Sequence, residues 1–167
     1  MTAMRRLQRL FTRLGNLAAR PRWIAIRITR LHARVLRLSR GRLRRSFLLA
    51  GGQPVLVLTT TGRRSGRLHS TPVAYLRDGV NLVIVASNAG LDSPPAWWLN
   101  LQAQPAAEVE VGGERLAVRA RRAEEGERER LWDGFLRQFA GLELTPTMTE
   151  RDIPVVVLEP AVKVNST

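Results

Sequence analysis

The chain has 167 residues and a formal net charge of +13, with 44% hydrophobic residues and no cysteine. This length can bury the core of one domain, whereas the lack of cysteine excludes disulfides, thiolate metal sites and a cysteine nucleophile. No apolar run reaches the roughly 20 residues that span a bilayer, and no secretory signal or paired-histidine metal motif is recognised. We therefore expect a cytoplasmic protein without a metal site.

The positive charge lies in the first 50 residues, which contain fourteen arginines and no acidic residue. Apolar side chains recur every three or four residues over 4–17 and 23–38, which predicts two Arg-rich amphipathic helices separated by Pro21. Such helices bind anionic membrane surfaces, so residues 1–45 are a candidate peripheral anchor on the inner face of the cell membrane. Packing on the domain or a partner, and a disordered leader, remain open alternatives, and no specific nucleic-acid contact is expected.

Residues 51–167 hold thirteen basic and fourteen acidic side chains, so this part of the chain is almost neutral. Its alternating apolar residues and turn signals predict six short strands, and two segments with helical spacing predict helices. We expect an arm over residues 1–50 and, over 51–167, a mainly β domain of the α+β class. Its fold is a small antiparallel barrel, partly open, with helices covering its ends. The predicted strands are residues 55–60, 70–77, 82–86, 107–111, 116–120 and 153–158, and the predicted helices are residues 95–104 and 124–139.

The segment TTTGRRSGRLHSTP, residues 59–72, joins the first two predicted strands and suits an anion. Gly62 and Gly66 allow the backbone to bend and to present N–H groups. Guanidinium groups bind phosphate and carboxylate through paired hydrogen bonds. A solvated hairpin whose arginines serve only solubility is the alternative, because the segment is neither a Walker loop nor a dinucleotide motif. The arginines of this segment are Arg63, Arg64 and Arg67.

Four segments, taken together, resemble one known family. They are LTTTGRRSGRLHSTPV, VIVASNAG, PAWWLNLQAQPAAEVEVGGE and ERDIPVVVLEP, in this order between about residues 42 and 160. They resemble the actinobacterial deazaflavin-dependent nitroreductases and quinone reductases, which are split β-barrel oxidoreductases of the FMN-binding-like type. The resemblance implies coenzyme F420 as the cofactor, with FMN as a less favoured option. The coenzyme carries a phosphodiester and a glutamate tail, which are anions of the kind that the loop suits.

The resemblance also implies which residues form the site. Arg63 and Arg64, with backbone N–H groups of residues 61–66, would grip the phosphate and tail. Ser87 would be the catalytic residue, because its hydroxyl could bind the acceptor oxygen where negative charge develops. Trp97 would pack beside the ring, unless it only docks its helix into the core. The implied cofactor-binding residues are Thr61, Gly62, Arg63, Arg64, Ser65, Gly66, His69, Pro72, Ala86, Ser87, Asn88 and Trp97.

The implied reaction is transfer of a hydride from the reduced deazaflavin to a quinone, a nitroaromatic compound or a similar planar acceptor. A split-barrel protein that binds a cofactor or another anionic ligand without turnover is the alternative, as is an FMN-dependent reductase. The chain departs from the family at Asn88, where a lysine is common, and at His69. The segment before Glu150 contains no tyrosine, although this segment is often tyrosine-rich and lines the acceptor pocket in the family. The choice of acceptor is therefore left open.

Overall fold

Seven strands and two α-helices form the part of the chain that this computed structural model describes, namely residues 45–46, 53–139 and 150–161. The predicted arm helices at residues 4–17 and 23–38 lie outside the described residues. None of the described helices is long and apolar enough to cross a membrane. In chain order the elements are β1 (Arg45–Ser46), β2 (Gln53–Thr61), β3 (Leu68–Asp78), β4 (Asn81–Val85), α1 (Ala96–Ala103), β5 (Ala106–Val111), β6 (Glu114–Arg122), α2 (Glu125–Gln138) and β7 (Val155–Pro160), with a 3₁₀ turn at Asn88–Gly90 after β4.

The strands form one antiparallel sheet that closes into a barrel. Neighbouring strands follow the order β1-β2-β3-β4-β7-β6-β5, and β2 also pairs with β5. This extra pairing turns β2 to β7 into a six-stranded ring, which confirms the predicted antiparallel barrel. Only three residue pairs join β2 to β5, so the ring is closed along only part of its strands.

Residues 82–85 of β4 and 155–158 of β7 are buried on both faces of the sheet, which explains why these two runs are apolar throughout. Successive side chains of a strand point to opposite faces of the sheet. One set faces the barrel interior and the other set packs under α2 on the outer wall. The interior set is Leu82, Ile84, Val156 and Leu158, and the outer set is Val83, Val85, Val155 and Val157.

The two helices occupy different places. Trp97 and Leu101 of α1 belong to the interior cluster, so α1 lies against one end of the barrel. Helix α2 begins with a capping box formed by Glu124 and Glu127. Its buried Leu131 packs with the outward-facing valines, so α2 covers the outer wall rather than an end.

One end of the barrel collects the segments that the sequence analysis singled out. Alternate strands of an antiparallel ring run in the same direction, so β2, β4 and β6 all finish at one end, which we call the upper end. Strands β5 and β7 begin there. The upper end therefore carries the loop of residues 62–67, the 3₁₀ turn after β4, α1, and the segment 150–154 that leads into β7.

Candidate active site at the upper end of the barrel

The loop of residues 62–67 is a tight connection that depends on two glycines. The Gly62 N–H donates to the Arg67 carbonyl at 2.8 Å, and the Gly66 N–H donates to the Gly62 carbonyl at 2.8 Å. Gly66 has φ +65°, a conformation that side-chain-bearing residues rarely adopt. At Gly62 a Cβ atom would lie 2.7 Å from His69 Nε2 and 2.8 Å from Ser65 Oγ. A larger residue at either position would therefore distort the loop.

Most backbone N–H groups of this loop are already bonded within the protein. Those of Gly62, Ser65 and Gly66 donate to carbonyls of the loop itself. The Arg63 N–H donates to Asn100 Oδ1 at 3.2 Å, and the Arg67 N–H donates to Ser65 Oγ at 3.3 Å. These N–H groups hold the loop together, whereas its guanidinium groups are exposed. A phosphate grip by backbone N–H groups of residues 61–66 stays a prediction.

The arginine side chains of the loop are exposed. Within the described ranges, no carboxylate lies at ion-pair distance from any of the three. Arg121 and Arg130 in the same domain each contact a carboxylate, at 2.6 and 2.7 Å. The loop thus presents positive charge that no described side chain neutralises, which suits an anionic ligand. The three residues are Arg63, Arg64 and Arg67.

Asn100 of α1 links the loop to β2, and the sequence analysis gave it no role. Its side chain is 5% exposed, and its Nδ2 donates to Thr60 Oγ1 at 3.1 Å. Its Oδ1 accepts from the backbone N–H of Arg63 at 3.2 Å and from Nη1 of the same residue at 3.4 Å. An asparagine in the middle of the helix AWWLNLQA was the available signal, because asparagine is unfavourable inside helices unless its side chain finds a partner.

Ser87 starts the turn that follows β4. Its carbonyl accepts from the Gly90 N–H at 3.0 Å, whereas its half-buried hydroxyl makes no hydrogen bond to the described residues. Asn88 has φ +49°, and its Nδ2 donates to the Ser93 carbonyl at 2.8 Å. The Asn88 amide therefore stabilises the turn, while the Ser87 hydroxyl has no partner within the described part of the chain.

A second residue without an assigned role, Arg151, contacts this turn. Its Nη2 donates to the carbonyls of Ala86 at 2.9 Å and Ser87 at 2.7 Å, and its Nε donates to the carbonyl of Leu91 at 3.0 Å. Arg151 lies in the ERDIP segment before β7. Nothing in the local sequence distinguishes it from the other arginines of the domain.

Of three other predicted site residues, only one lies beside the loop of residues 62–67. The exposed His69 has its ring against Gly62, and Trp97 is 8% exposed within the interior cluster that also contains Ala86. Pro72 pairs with Val57, on the face of the sheet that points away from the interior cluster. The loop and His69 thus lie together, Trp97 is mainly a core residue, and Pro72 is set apart.

A separate cleft of about 400 Å³ lies on the outer wall between β3 and α2. Its lining includes Asp78, which accepts from both Nη atoms of Arg130 at 2.7 and 2.9 Å. The hydrogen bonds from Arg130 lower the pKa of Asp78. The cleft contains none of the predicted site residues, and we regard its ion pair as a contact between α2 and the barrel.

Comparison with known proteins decides the family. The sequence model of the F420H2-dependent quinone reductases matches residues 28–160. The chain belongs to this family. An F420H2-dependent quinone reductase of Mycobacterium tuberculosis is 34% identical over 140 residues, covering 82% of this chain and 93% of that protein. A second relative from the same organism is 36% identical over 107 residues, covering 64% of this chain and 90% of the relative.

A solved structure described as an F420-H2 dependent reductase superimposes with a TM-score of 0.59 at 32% identity, covering 64% of this chain and 94% of its own. The predicted family, split-barrel fold, enzyme class and coenzyme are therefore confirmed. The residues present fit the anionic tail of F420, because the exposed loop arginines lack acidic partners among the described residues. The roles of individual residues stay predictions.

Proposed function

We propose that this member of the F420H2-dependent quinone reductase family transfers a hydride from reduced coenzyme F420 to a quinone at the upper end of the barrel. One observation carries the proposal. The loop arginines have no acidic partner among the described residues, and the Ser87 hydroxyl makes no hydrogen bond to them. The loop follows β2 and Ser87 follows β4, and these two strands finish at the same end of the ring. An anion-binding surface and a polarising hydroxyl are therefore on one side of the molecule.

In this proposal the arginine side chains bind the coenzyme. Arg63 and Arg64 hold the phosphate and the glutamate tail through charge-assisted hydrogen bonds. Asn100 orients Arg63, because its Oδ1 accepts from both the backbone and the guanidinium of that residue. His69 packs on Gly62 and supports the loop rather than the tail.

When bound, the reduced deazaflavin would supply the hydride and, on its oxidation, would release the proton that completes the hydroquinone, so the protein needs no acid–base triad. The protein binds and orients the two reactants, which lowers the entropic cost of their encounter. The Ser87 hydroxyl donates a hydrogen bond to the acceptor oxygen on which negative charge develops. Ala86, which directly precedes Ser87, and Trp97 are both buried in the interior cluster.

A quinone is the proposed acceptor, in preference to a nitroaromatic compound. The family description and the names of the mycobacterial relatives both specify quinone reduction. We therefore expect faster turnover with quinones than with nitroaromatics.

The first prediction tests this role of Ser87. With reduced coenzyme and menadione, Ser87→Ala lowers kcat by roughly 10- to 100-fold, because one donor to the developing charge is lost. Coenzyme oxidation, followed with and without quinone, measures the rate. Ser93→Ala is the matched control, because it removes a nearby exposed hydroxyl and keeps the carbonyl that Asn88 contacts. Oxidation that does not depend on the quinone would contradict the proposed function, and full activity of Ser87→Ala would remove Ser87 from it.

The arginine-rich arm, residues 1–45, is the proposed means of reaching a lipid-soluble quinone. Its fourteen arginines are not offset by any acidic residue. Amphipathic basic segments bind anionic lipid surfaces. The arm would then keep the barrel beside the membrane in which the quinone dissolves.

A further inference from the structure

The guanidinium of Arg151 lies among four backbone carbonyls at the upper end of the barrel. Nη2 donates to Ser87 at 2.7 Å and to Ala86 at 2.9 Å, and Nε donates to Leu91 at 3.0 Å. Nη1 donates to the carbonyl of Asp152 at 3.2 Å. One side chain thus connects the residues on both sides of the turn that carries Ser87.

The turn has few bonds of its own. Within it, the Gly90 N–H donates to Ser87 and the Leu91 N–H donates to Asn88. Asn88 has φ +49°, which asparagine adopts more readily than other residues with a side chain, and its Nδ2 donates to the Ser93 carbonyl at 2.8 Å. The bonds from Arg151 to the carbonyls of Ser87 and Leu91 add a restraint at each end of the turn.

The segment that presents Arg151 is itself anchored on two sides. The carboxylate of Asp152 accepts from Arg122 of β6 at 2.6 Å. The carbonyl of Pro154 accepts from the Ala86 N–H at 2.9 Å, which ties the segment to the end of β4. The backbone beside Arg151 is therefore held in place relative to β4 and β6. Its guanidinium can, in consequence, restrain the turn after β4.

We infer that Arg151 is a positioning residue that holds Ser87 in place for hydride transfer, an inference that rests on the proposed function. Arg151 acts through the turn and is not itself placed against the acceptor. Its role depends on the planar fork of five N–H donors, which point in several directions at once. A lysine keeps the positive charge but carries all its N–H donors on one nitrogen atom. Arg151→Lys therefore tests whether the geometry of the guanidinium donors matters when the charge is kept.

The first arm of the test measures the turn without coenzyme. Hydrogen–deuterium exchange of the full chain reports on the amides of residues 87–91. In Arg151→Lys we expect these amides to exchange roughly tenfold faster, because local opening becomes easier when the clamp is lost. Arg119→Ala is the matched control, because it removes an exposed guanidinium of the same barrel and leaves Arg151 and the anchors of its segment unchanged. In this control the same amides exchange at the rate of the unaltered chain.

The second arm measures the reaction. In Arg151→Lys we expect kcat with menadione to fall by roughly tenfold or more, because the donor is misplaced in the transition state. The Kd for coenzyme, measured by fluorescence titration, stays within about threefold, because the arginine loop is untouched. Arg151→Gln repeats both measurements without the charge, and Arg151→Lys carries the test if Arg151→Gln does not fold.

The possible outcomes separate the two claims. Faster exchange in the turn together with a lower kcat and an intact Kd supports the inference. Unchanged exchange in Arg151→Lys, or faster exchange with an unchanged kcat, overturns it. If the unaltered chain does not oxidise the coenzyme with quinone, the proposed function fails and the inference fails with it, whatever the exchange experiment gives.

Discussion

Arg63 is the loop arginine whose side chain the protein itself orients. Asn100 Oδ1 accepts from its backbone and its Nη1, and Asn100 Nδ2 donates to the buried Thr60 hydroxyl. Arg64 and Arg67, which are exposed, have no such contact with the described residues. Binding a ligand through Arg63 therefore costs less side-chain entropy than binding through the other two.

The second prediction concerns Asn100. Asn100→Leu lowers the free energy of unfolding by about 1–3 kcal/mol, because it leaves the Thr60 hydroxyl buried without its partner. Urea unfolding measures the effect. Adding Thr60→Val recovers part of the loss, because removing both partners of a buried hydrogen bond costs less than removing one. If the two substitutions are strictly additive, the bond between Thr60 and Asn100 does not contribute as described.

Two kinds of signal marked the loop and Ser87 as candidates, and their roles stay predictions. Glycines and arginines mark residues 62–67, and the resemblance to a family marks the turn after β4. Asn100 and Arg151 were missed because their contacts are distant in sequence. Asn100 contacts Thr60 across 40 residues, and Arg151 contacts Ala86 across 65. Only the folded ring brings such pairs together.

Among the elements, α2 is held on the outer wall by packing and by two ion-pair groups. Arg130 contacts Asp78 at the end of β3, and Arg121 of β6 contacts both Glu127 of α2 and Glu159 of β7. The hydrogen bonds from Arg121 lower the pKa of Glu127, and those from Glu127 and Glu159 raise the pKa of Arg121. The charged contacts thus join α2 to three strands.

The third prediction is a pH dependence of this attachment. The pKa values of Asp78 and Glu127 are lowered from their usual 3.8 and 4.5, so both carboxyls bind protons more weakly in the folded chain. Their stabilisation is therefore complete above these usual values and is lost as the pH falls through the lower folded values. Glu127→Gln lowers the free energy of unfolding by about 1 kcal/mol near neutral pH, and this difference disappears in acid.

Thermal unfolding of Glu127→Gln and of the unaltered chain, measured over a pH series, checks this prediction. Glu125→Gln is the control, because it removes a charge from the same first turn of α2 and no ion pair of Glu125 is present among the described residues. A difference between Glu127→Gln and the unaltered chain that stays constant into acid would show that the ion pair with Arg121 is not its cause.

The existence and order of the elements could be predicted from local patterns, whereas their placement could not. Alternation, continuous apolar runs and turn signals located β2 to β7, but the two-residue β1 is too short to leave a pattern. Strand β7 begins at Val155, two residues after the predicted start, because Pro154 lacks the N–H that a sheet ladder needs. Strands β4 and β7 have an apolar inner face and an apolar outer face, and α2 packs on the outer one. A continuous apolar run in the sequence does not show which side chains face the barrel interior and which face a helix, so the position of α2 could not be predicted.

In the whole molecule, the excess positive charge lies in the first 50 residues, whereas the barrel strands β2 to β7 lie after them. The family match begins at residue 28, so the whole of the first predicted arm helix, residues 4–17, and Pro21 precede it. The domain after residue 50 is nearly neutral, whereas the arm carries the excess of positive charge. Any attraction to anionic lipid should therefore reside in the arm and leave the chemistry of the barrel unaltered.

The fourth prediction tests the arm. The full chain floats with liposomes that contain anionic lipid and not with neutral liposomes, because each basic residue near an anionic surface contributes about 1 kcal/mol. Raising the salt concentration weakens this binding by screening the charges. A chain that lacks residues 1–20 floats less and oxidises the coenzyme with a water-soluble quinone at the same rate. Equal flotation with neutral and anionic liposomes, or none with either, would contradict the proposed anchor.

The most direct test of the central claim is a fluorescence titration of coenzyme F420 with the full chain and with the Arg63→Ala, Arg64→Ala double variant. We predict saturable binding by the unaltered chain and a loss of about 2–4 kcal/mol in the double variant, because two charge-assisted contacts to the tail are removed. An Arg77→Ala, Arg119→Ala variant removes the same charge from exposed strand positions and keeps the affinity. Equal affinity of the loop variant and the unaltered chain, or no binding by the unaltered chain, would contradict the assignment of this loop as the coenzyme site.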